Sequence, residues 1–160
     1  MGMNRQLAAL AALILIAALA GSCLGEETEK WVICREKSCV YVRAAPGKKA
    51  MIIGRAELGD LVVTDGIRKG KYVHLIGLSM ESEDGWIHGG YLVDSEPVKM
   101  NGEIYRISSR WVVAVRRTVN GSRRAWAKPG AQLKVYAMSE EWTLTNRGFV
   151  MTKYLEADVE

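Results

Sequence analysis

"GWIHGGYL" at residues 85–92 and "GFVMTKYL" at residues 148–155 are the stretches that decide the fold. Each has Gly, an aromatic residue, a β-branched residue, three variable positions and then Tyr-Leu. The match continues upstream, where "CVYVRAAPGKKAMIIGRAELGDLVV" (39–63) aligns with "VVAVRRTVNGSRRAWAKPGAQLKVY" (112–136). The sequence therefore predicts one small domain used twice.

The aligned segments are typical of short β-strands. They are rich in Val, Ile, Leu, Tyr and Trp with alternating patterning, and turn residues recur about every 8 to 12 positions. No sustained helical period occurs after residue 25. We predict an all-β chain of two small barrels, at 30–93 and 104–157. The stretch "DSEPVKMNGE" (94–103), with its Pro and Asn-Gly, is predicted to link them.

The first 25 residues indicate export. The apolar run from Leu7 to Ala20 is too short for a comfortable membrane span and is typical of a secretory signal. We predict a signal peptide at 1–25, with a cleavage site at Ala18–Ala20. Two alternatives remain open: lipidation of Cys23, which follows small residues, and an uncleaved N-terminal anchor. The predicted location is the cell envelope or the extracellular space.

Cys34 and Cys39 are the cysteines of the predicted mature chain. Their spacing fits neither a redox C-x-x-C motif nor a zinc site. Ile107 and Val112 stand at the equivalent positions of the second repeat, which favours inward-facing sites on paired strands. Because an exported chain can oxidise such a pair, we predict a Cys34–Cys39 disulfide across a hairpin. Two buried free thiols are the alternative.

Positive charge is concentrated in the second repeat, although the whole chain has a net charge of only +4. The loop after its first strand contains the basic residues Arg116, Arg117, Arg123, Arg124 and Lys128, with no acid among them. These residues predict an anion-binding patch, and a solvated basic face is the alternative.

Aromatic residues provide the candidates for a ligand groove. Most of them must fill the small cores, and Trp86 and Phe149 are predicted core members because each follows Gly in the shared motif. The groove candidates are Tyr41, Tyr72, Trp126 and Trp142.

Catalysis has little support in the sequence. The chain has two histidines, His74 and His88, and contains no G-x-S-x-G, H-E-x-x-H or phosphate-binding glycine loop. We predict that the protein is not an enzyme and that it needs no cofactor and no metal.

The motifs around the first repeat resemble those of the bacterial SH3-like (SH3b) domain. They are "YVRAAPGKK" (41–49), "IIGRAELGDLVV" (52–63), "KYVHL" (71–75) and "DGWIHGGYL" (84–92). The resemblance is looser from Ile104 to Leu155, where no Pro follows Val115-Arg116 and Phe149 replaces the tryptophan. It implies two tandem SH3-like barrels that bind cell-wall peptidoglycan or its peptides.

An interaction role is the alternative function. In that hypothesis the protein is an accessory or scaffold component of an envelope assembly, such as a secretion or DNA-transfer apparatus, and docks through its basic second domain. The expected partners are peptidoglycan or an envelope protein, with an anionic polymer or a membrane surface as further candidates. Nucleic acid is not expected as the partner of an exported protein.

Overall fold

The computed structural model describes residues 26–78 and 84–158. The predicted signal peptide and Cys23 lie outside these residues. Strands, together with two 3-10 turns at Gly89–Tyr91 and Thr152–Tyr154, form the regular structure of the described part. Within residues 26–78 and 84–158, no helix has the length and apolar character needed to cross a membrane.

The first sheet contains seven antiparallel strands. They are β1 (Thr28–Val32), β2 (Val40–Arg43), β3 (Ile52–Ala56), β4 (Leu61–Lys69), β5 (Tyr72–Leu78), β6 (Gly85–His88) and β7 (Leu92–Val93). Their order in the sheet is β3-β2-β6-β5-β4-β1-β7.

The second sheet contains eight antiparallel strands. They are β8 (Val98–Lys99), β9 (Ile104–Ile107), β10 (Val113–Arg116), β11 (Arg123–Ala127), β12 (Gln132–Met138), β13 (Trp142–Thr145), β14 (Gly148–Met151) and β15 (Leu155–Ala157). Their order is β11-β10-β14-β13-β12-β9-β15, with β8 paired to β12. Apart from β8, each strand has a counterpart in the same place of the first sheet. The predicted all-β fold of two domains is confirmed.

The shared Tyr-Leu motif has the same structural role in both domains. In each, a 3-10 turn follows the strand that carries the Gly-aromatic pair, and the Leu that follows the turn pairs with the domain's first strand. Leu92 pairs with Val32, and Leu155 pairs with Ile107. The motif therefore joins the end of each domain to its beginning.

Each domain has its own apolar core. Along β2 the alternation is clear, since Val40 and Val42 are buried while Tyr41 between them is exposed. The first core consists of Val32, Cys34, Val40, Val42, Ala56, Val62, Val73, Leu75, Ile87 and Leu92. The second consists of Ile107, Val113, Val115, Ala127, Leu133 and Val150.

A third apolar cluster, here called the interdomain core, joins the two domains. Its buried members are Ile33, Val93, Val119, Ala137, Trp142, Leu144 and Phe149. Beside it the backbone N–H of Val119 donates to the carbonyl oxygen of Gly90, with an N–O distance of 2.9 Å. Because domains of this size are marginal alone, burial of a shared cluster is expected to stabilise both.

The segment 94–103 follows the surface of the second sheet. Its strand β8 pairs with β12, and the N–H of Met100 donates to the carbonyl of Tyr136. The ammonium of Lys99 donates to Glu36 of the first domain at 2.6 Å, and this hydrogen bond lowers the pKa of the Glu36 carboxyl. The segment thus contacts both domains.

The structure does not contain the predicted hairpin between Cys34 and Cys39. Strand β1 pairs with β4 and β7, whereas β2 pairs with β3 and β6, so the two cysteines flank a tight turn instead. Both are free thiols: Cys34 is buried and its Sγ lies 3.4 Å from the carbonyl oxygen of Ser38, while Cys39 is half-buried. The expected inward position at Val112 is also wrong, since 53% of that residue is exposed.

Candidate binding cleft between the domains

A cleft of about 630 Å³ opens where the two domains meet. This volume lies within the range of roughly 300 to 1,000 Å³ that is usual for small-molecule and short-peptide sites. The interdomain cleft, as it is called below, is lined by Cys34, Arg35, Ser38, Cys39, Val40, Tyr41, Arg43, Lys48, Tyr72, His88, Tyr91, Arg117, Arg124, Leu144, Thr145, Asn146, Gly148 and Phe149.

A row of aromatic rings borders the cleft and crosses the domain boundary. Tyr72 and His88 have ring centroids 5.6 Å apart, and His88 and Tyr91 are 5.4 Å apart. Tyr91 is followed by Phe149 of the second domain, at 6.1 Å in an edge-to-face arrangement. These edge-to-face and tilted geometries are favourable for aromatic contacts. The row gives the cleft a continuous apolar wall.

The charged residues of the cleft are all basic. Arg35, Arg43 and Lys48 come from the first domain, and Arg117 and Arg124 from the second, while none of the Asp and Glu residues that the structure describes lines the cleft. None of these five cations forms an ion pair with an acid among residues 26–78 and 84–158. A concave surface lined by charges of one sign concentrates their field. The interdomain cleft is therefore strongly electropositive.

Two equivalent arginines hold the loops beside the cleft. The Nη1 of Arg43 donates to the carbonyl of Ala50, and the Nη1 of Arg116 donates to the carbonyl of Gly121, both at 2.7 Å. Each arginine follows a Val at the end of its strand and is half-buried. Arg116 thus closes its own loop and does not line the cleft.

The structure separates the other members of the predicted basic patch. Arg117 and Arg124 line the interdomain cleft. Arg123 instead lies over the ring of Trp126, with 4.4 Å from its guanidinium carbon to the ring centroid. Lys128 is exposed just after β11. The predicted patch is therefore divided: Arg117 and Arg124 line the cleft, whereas Arg123 and Lys128 lie outside it.

The four predicted groove residues also separate. Tyr41 and Tyr72 both line the interdomain cleft, and 40% of Tyr41 is exposed. Trp126 lies on the edge strand β11, away from the cleft lining. Trp142 is only 4% exposed because it belongs to the interdomain core.

A second cleft of about 710 Å³ adjoins the first, and the two share Lys48, His88 and Arg117. Its lining includes the acids Asp94 and Glu141 beside the basic residues. The absence of acids is therefore particular to the interdomain cleft.

His88 lies at the junction of the two clefts. Its Nδ1 accepts the backbone N–H of Gly90 at 3.1 Å, which leaves the proton of the neutral ring on Nε2. Burial, and then the charges of Lys71 and Lys48, lower the pKa of His88 below its ordinary value. The ring is therefore neutral at pH 7.

The buried thiol beside the cleft is chemically inert. Burial, and then the nearby Cys39, raise the pKa of Cys34 to about 11, so Cys34 remains a protonated thiol at neutral pH. Within the described ranges, no three His, Cys, Asp or Glu side chains are placed to hold a metal ion.

Several residues of the cleft were not expected from the sequence. Arg35, Lys48 and His88 come from separate loops and strands of the first domain. Tyr91 belongs to the shared motif but was not among the groove candidates. No local pattern of the sequence indicates that they meet, because their proximity depends on how the two domains pack.

The chain was compared with known proteins. No family model matches it, and no curated protein matches it in sequence. Among solved structures it is similar to NlpC1 from Trichomonas vaginalis, with 14% identity and a TM-score of 0.37 over 87% of this chain and 49% of that one. It is also similar to NlpC2 from the same organism, with 11% identity and a TM-score of 0.36 over 86% and 52%. The chain spans about half the length of these two proteins.

Proposed function

We propose that this protein is an exported, non-catalytic binding module that recognises cell-wall peptidoglycan or its peptides in the interdomain cleft. The observation that supports this function best is the cleft itself, which combines an aromatic wall with five basic side chains and no acid. Short peptides offer both apolar groups and carboxylates, so one ligand can use both parts of the lining.

The side chains of the cleft favour binding over catalysis. A Cys-His hydrolase needs a thiolate and a base that can accept its proton. The Cys34 thiol is held protonated by burial, and the Nδ1 of His88 is already bonded to the Gly90 N–H. These two groups therefore act as part of the wall in our proposal.

The proposed function is tested by retention on purified peptidoglycan. Tyr72→Ala removes a ring of the aromatic row and is expected to lower retention about tenfold, since an anchoring aromatic contributes on the order of 1.4 kcal/mol or more. Trp111→Ala is the matched control, because 71% of Trp111 is exposed and it does not line the cleft. Failure of the parent protein to bind peptidoglycan would contradict the proposal, as would equal loss in both variants.

One observation favours the alternative role in an envelope assembly. Trp126 is 49% exposed beneath Arg123, outside the cleft, and such aromatic–arginine pairs are frequent in protein interfaces. In that role, attachment to envelope fractions is electrostatic and decreases as salt screens it. Changing Arg123 to Ser, which leaves the lining of the cleft intact, would then weaken attachment at low salt. Retention that Tyr72→Ala weakens and that Arg123→Ser leaves unchanged supports the cleft.

A further inference from the structure

We propose that the ligand of the interdomain cleft is a short peptide with at least two carboxylates, bound by basic side chains of both domains at once. This inference rests on the proposed function in placing the ligand in the same cleft, and it adds the chemical class of the ligand and its two-domain mode of binding.

The distribution of the basic residues requires both domains. Lys48 belongs to the loop between β2 and β3, whereas Arg117 belongs to the equivalent loop of the second domain. Arg124, on the edge strand β11, lines the same cleft. The hydrogen bond from Val119 to Gly90 and the interdomain core hold the loop of the second domain against the first domain. A ligand with one anionic group for each loop would contact both domains at once.

The charges of the empty cleft disfavour the packed arrangement of the domains. Like charges in a concave surface repel one another, and because Arg35, Lys48, Arg117 and Arg124 are exposed, salt screens part of this repulsion. A bound polycarboxylate removes the repulsion and adds charge-assisted hydrogen bonds. Binding is therefore expected to stabilise the contact between the domains, since a ligand specific to the folded state raises its stability.

The lining favours a peptide over a phosphate polymer. Four of the five basic residues are arginines, whose planar guanidinium groups bind carboxylates and phosphates in bidentate fashion. The half-buried rings of Tyr72, His88 and Tyr91 decide between the two classes. Apolar side chains of a peptide can cover these rings, whereas a polyol phosphate would leave them in contact with water.

The experiment measures binding of two peptides by titration calorimetry. The probe is acetyl-Leu-Glu-Tyr-Glu with a free C-terminus, and its neutral analogue is acetyl-Leu-Gln-Tyr-Gln-amide. We expect the analogue to bind at least tenfold more weakly. Arg117→Gln and Arg124→Gln are each expected to weaken binding of the acidic peptide by about tenfold, the usual effect of losing one charge-assisted hydrogen bond.

The matched control is Arg123→Gln, which changes a neighbouring arginine outside the cleft and is expected to leave peptide affinity unchanged. Equal binding of both peptides, or of neither, would overturn the inference. So would tighter binding of polyglycerol phosphate than of the acidic peptide, or an effect of Arg117→Gln no larger than that of the control.

Retention on peptidoglycan, measured with the same variants, separates the two proposals. Retention that does not depend on Arg117 and Arg124 contradicts the two-domain carboxylate site and leaves the proposed function in place. Tight binding of the acidic peptide without retention on peptidoglycan supports the site and contradicts the proposed function.

Discussion

Gly90 lies where the first domain touches the second, and adding one methyl group there tests the domain contact. A Cβ on Gly90 would lie 2.6 Å from the Cβ of Thr118 and 2.9 Å from the Cε1 of His88. Ordinary contact begins at 3.4 Å, so Gly90→Ala requires the segments that carry Gly90 and Thr118 to separate by several tenths of an ångström. The Cβ of Thr118 is attached to the backbone, so no change of rotamer removes the overlap.

The size of the effect follows from two terms. Overpacking of a well-packed contact costs about 1–3 kcal/mol. Separation of these two segments also weakens the hydrogen bond from Val119 to Gly90, which contributes about 1 kcal/mol. We therefore expect Gly90→Ala to lower the free energy of unfolding by about 2–4 kcal/mol.

Urea denaturation monitored by tryptophan fluorescence measures this change. Trp142 is buried in the interdomain core and Trp31 packs against it, so their emission reports on the domain contact. The matched control is Gly77→Ala, whose Cβ would meet only Val63, at 3.9 Å. It is expected to change stability by less than about 0.5 kcal/mol, as most unstrained surface substitutions do.

A second substitution tests the cause. Thr118→Gly removes the atom that the new methyl group meets, and in the Gly90→Ala background it should restore part of the lost stability. If Gly90→Ala unfolds at the same urea concentration as the parent, the domains do not touch at this point and the reasoning is wrong.

Three further predictions concern buried and titratable groups. Phe149→Ala removes a large, fully buried side chain and is expected to lower the free energy of unfolding by about 3–5 kcal/mol. The urea transition should remain single because the two domains share the interdomain core, and two separate transitions would contradict this. Because the pKa of His88 is lowered in the folded state, the unfolded chain takes up a proton first, so stability should decrease as pH falls below about 6.5 and level off below the folded pKa. His88→Gln should remove this decrease of stability at low pH, and an unchanged pH profile in that variant would contradict the prediction. At neutral pH, iodoacetamide should label Cys39 before Cys34, whose pKa of about 11 keeps it protonated. In denaturant, peptide mass spectrometry should find both cysteines labelled if they are free, as in the structure, and neither labelled if the disulfide predicted from the sequence forms.

Local patterning was sufficient to predict the fold because both domains repeat the same strands and the same closing motif. It could not predict which strands pair, since alternation shows which face of a strand is buried but not which neighbour lies beside it. The expected hairpin at Cys34 and Cys39 failed for this reason. The two strands on either side of these cysteines pair elsewhere in the sheet.

The equivalent residues Trp86 and Phe149 show a second limit. Both follow Gly in the shared motif, and both were expected to lie in a core. Phe149 is buried as predicted, because the first domain covers its face of the second sheet. Trp86 is only half-buried and contacts the ring of His74 at 4.9 Å and the ammonium of Lys69 at 5.4 Å. The lining of the cleft could not be predicted for the same reason, because it depends on how the two domains pack against each other.

The contact between the two domains is heterologous, although the domains share one strand order. The first domain contributes its 3-10 turn at Gly89–Tyr91, and the second contributes the loop that follows β10. The counterparts of these two surfaces, the turn at Thr152–Tyr154 and the loop at 44–51, contribute no side chain to the interdomain core. A head-to-tail contact of this kind uses two different surfaces, one from each partner. The two repeats are therefore not interchangeable, because each presents a different surface to the other, and the loop at 44–51 takes part only through Lys48 in the lining of the cleft.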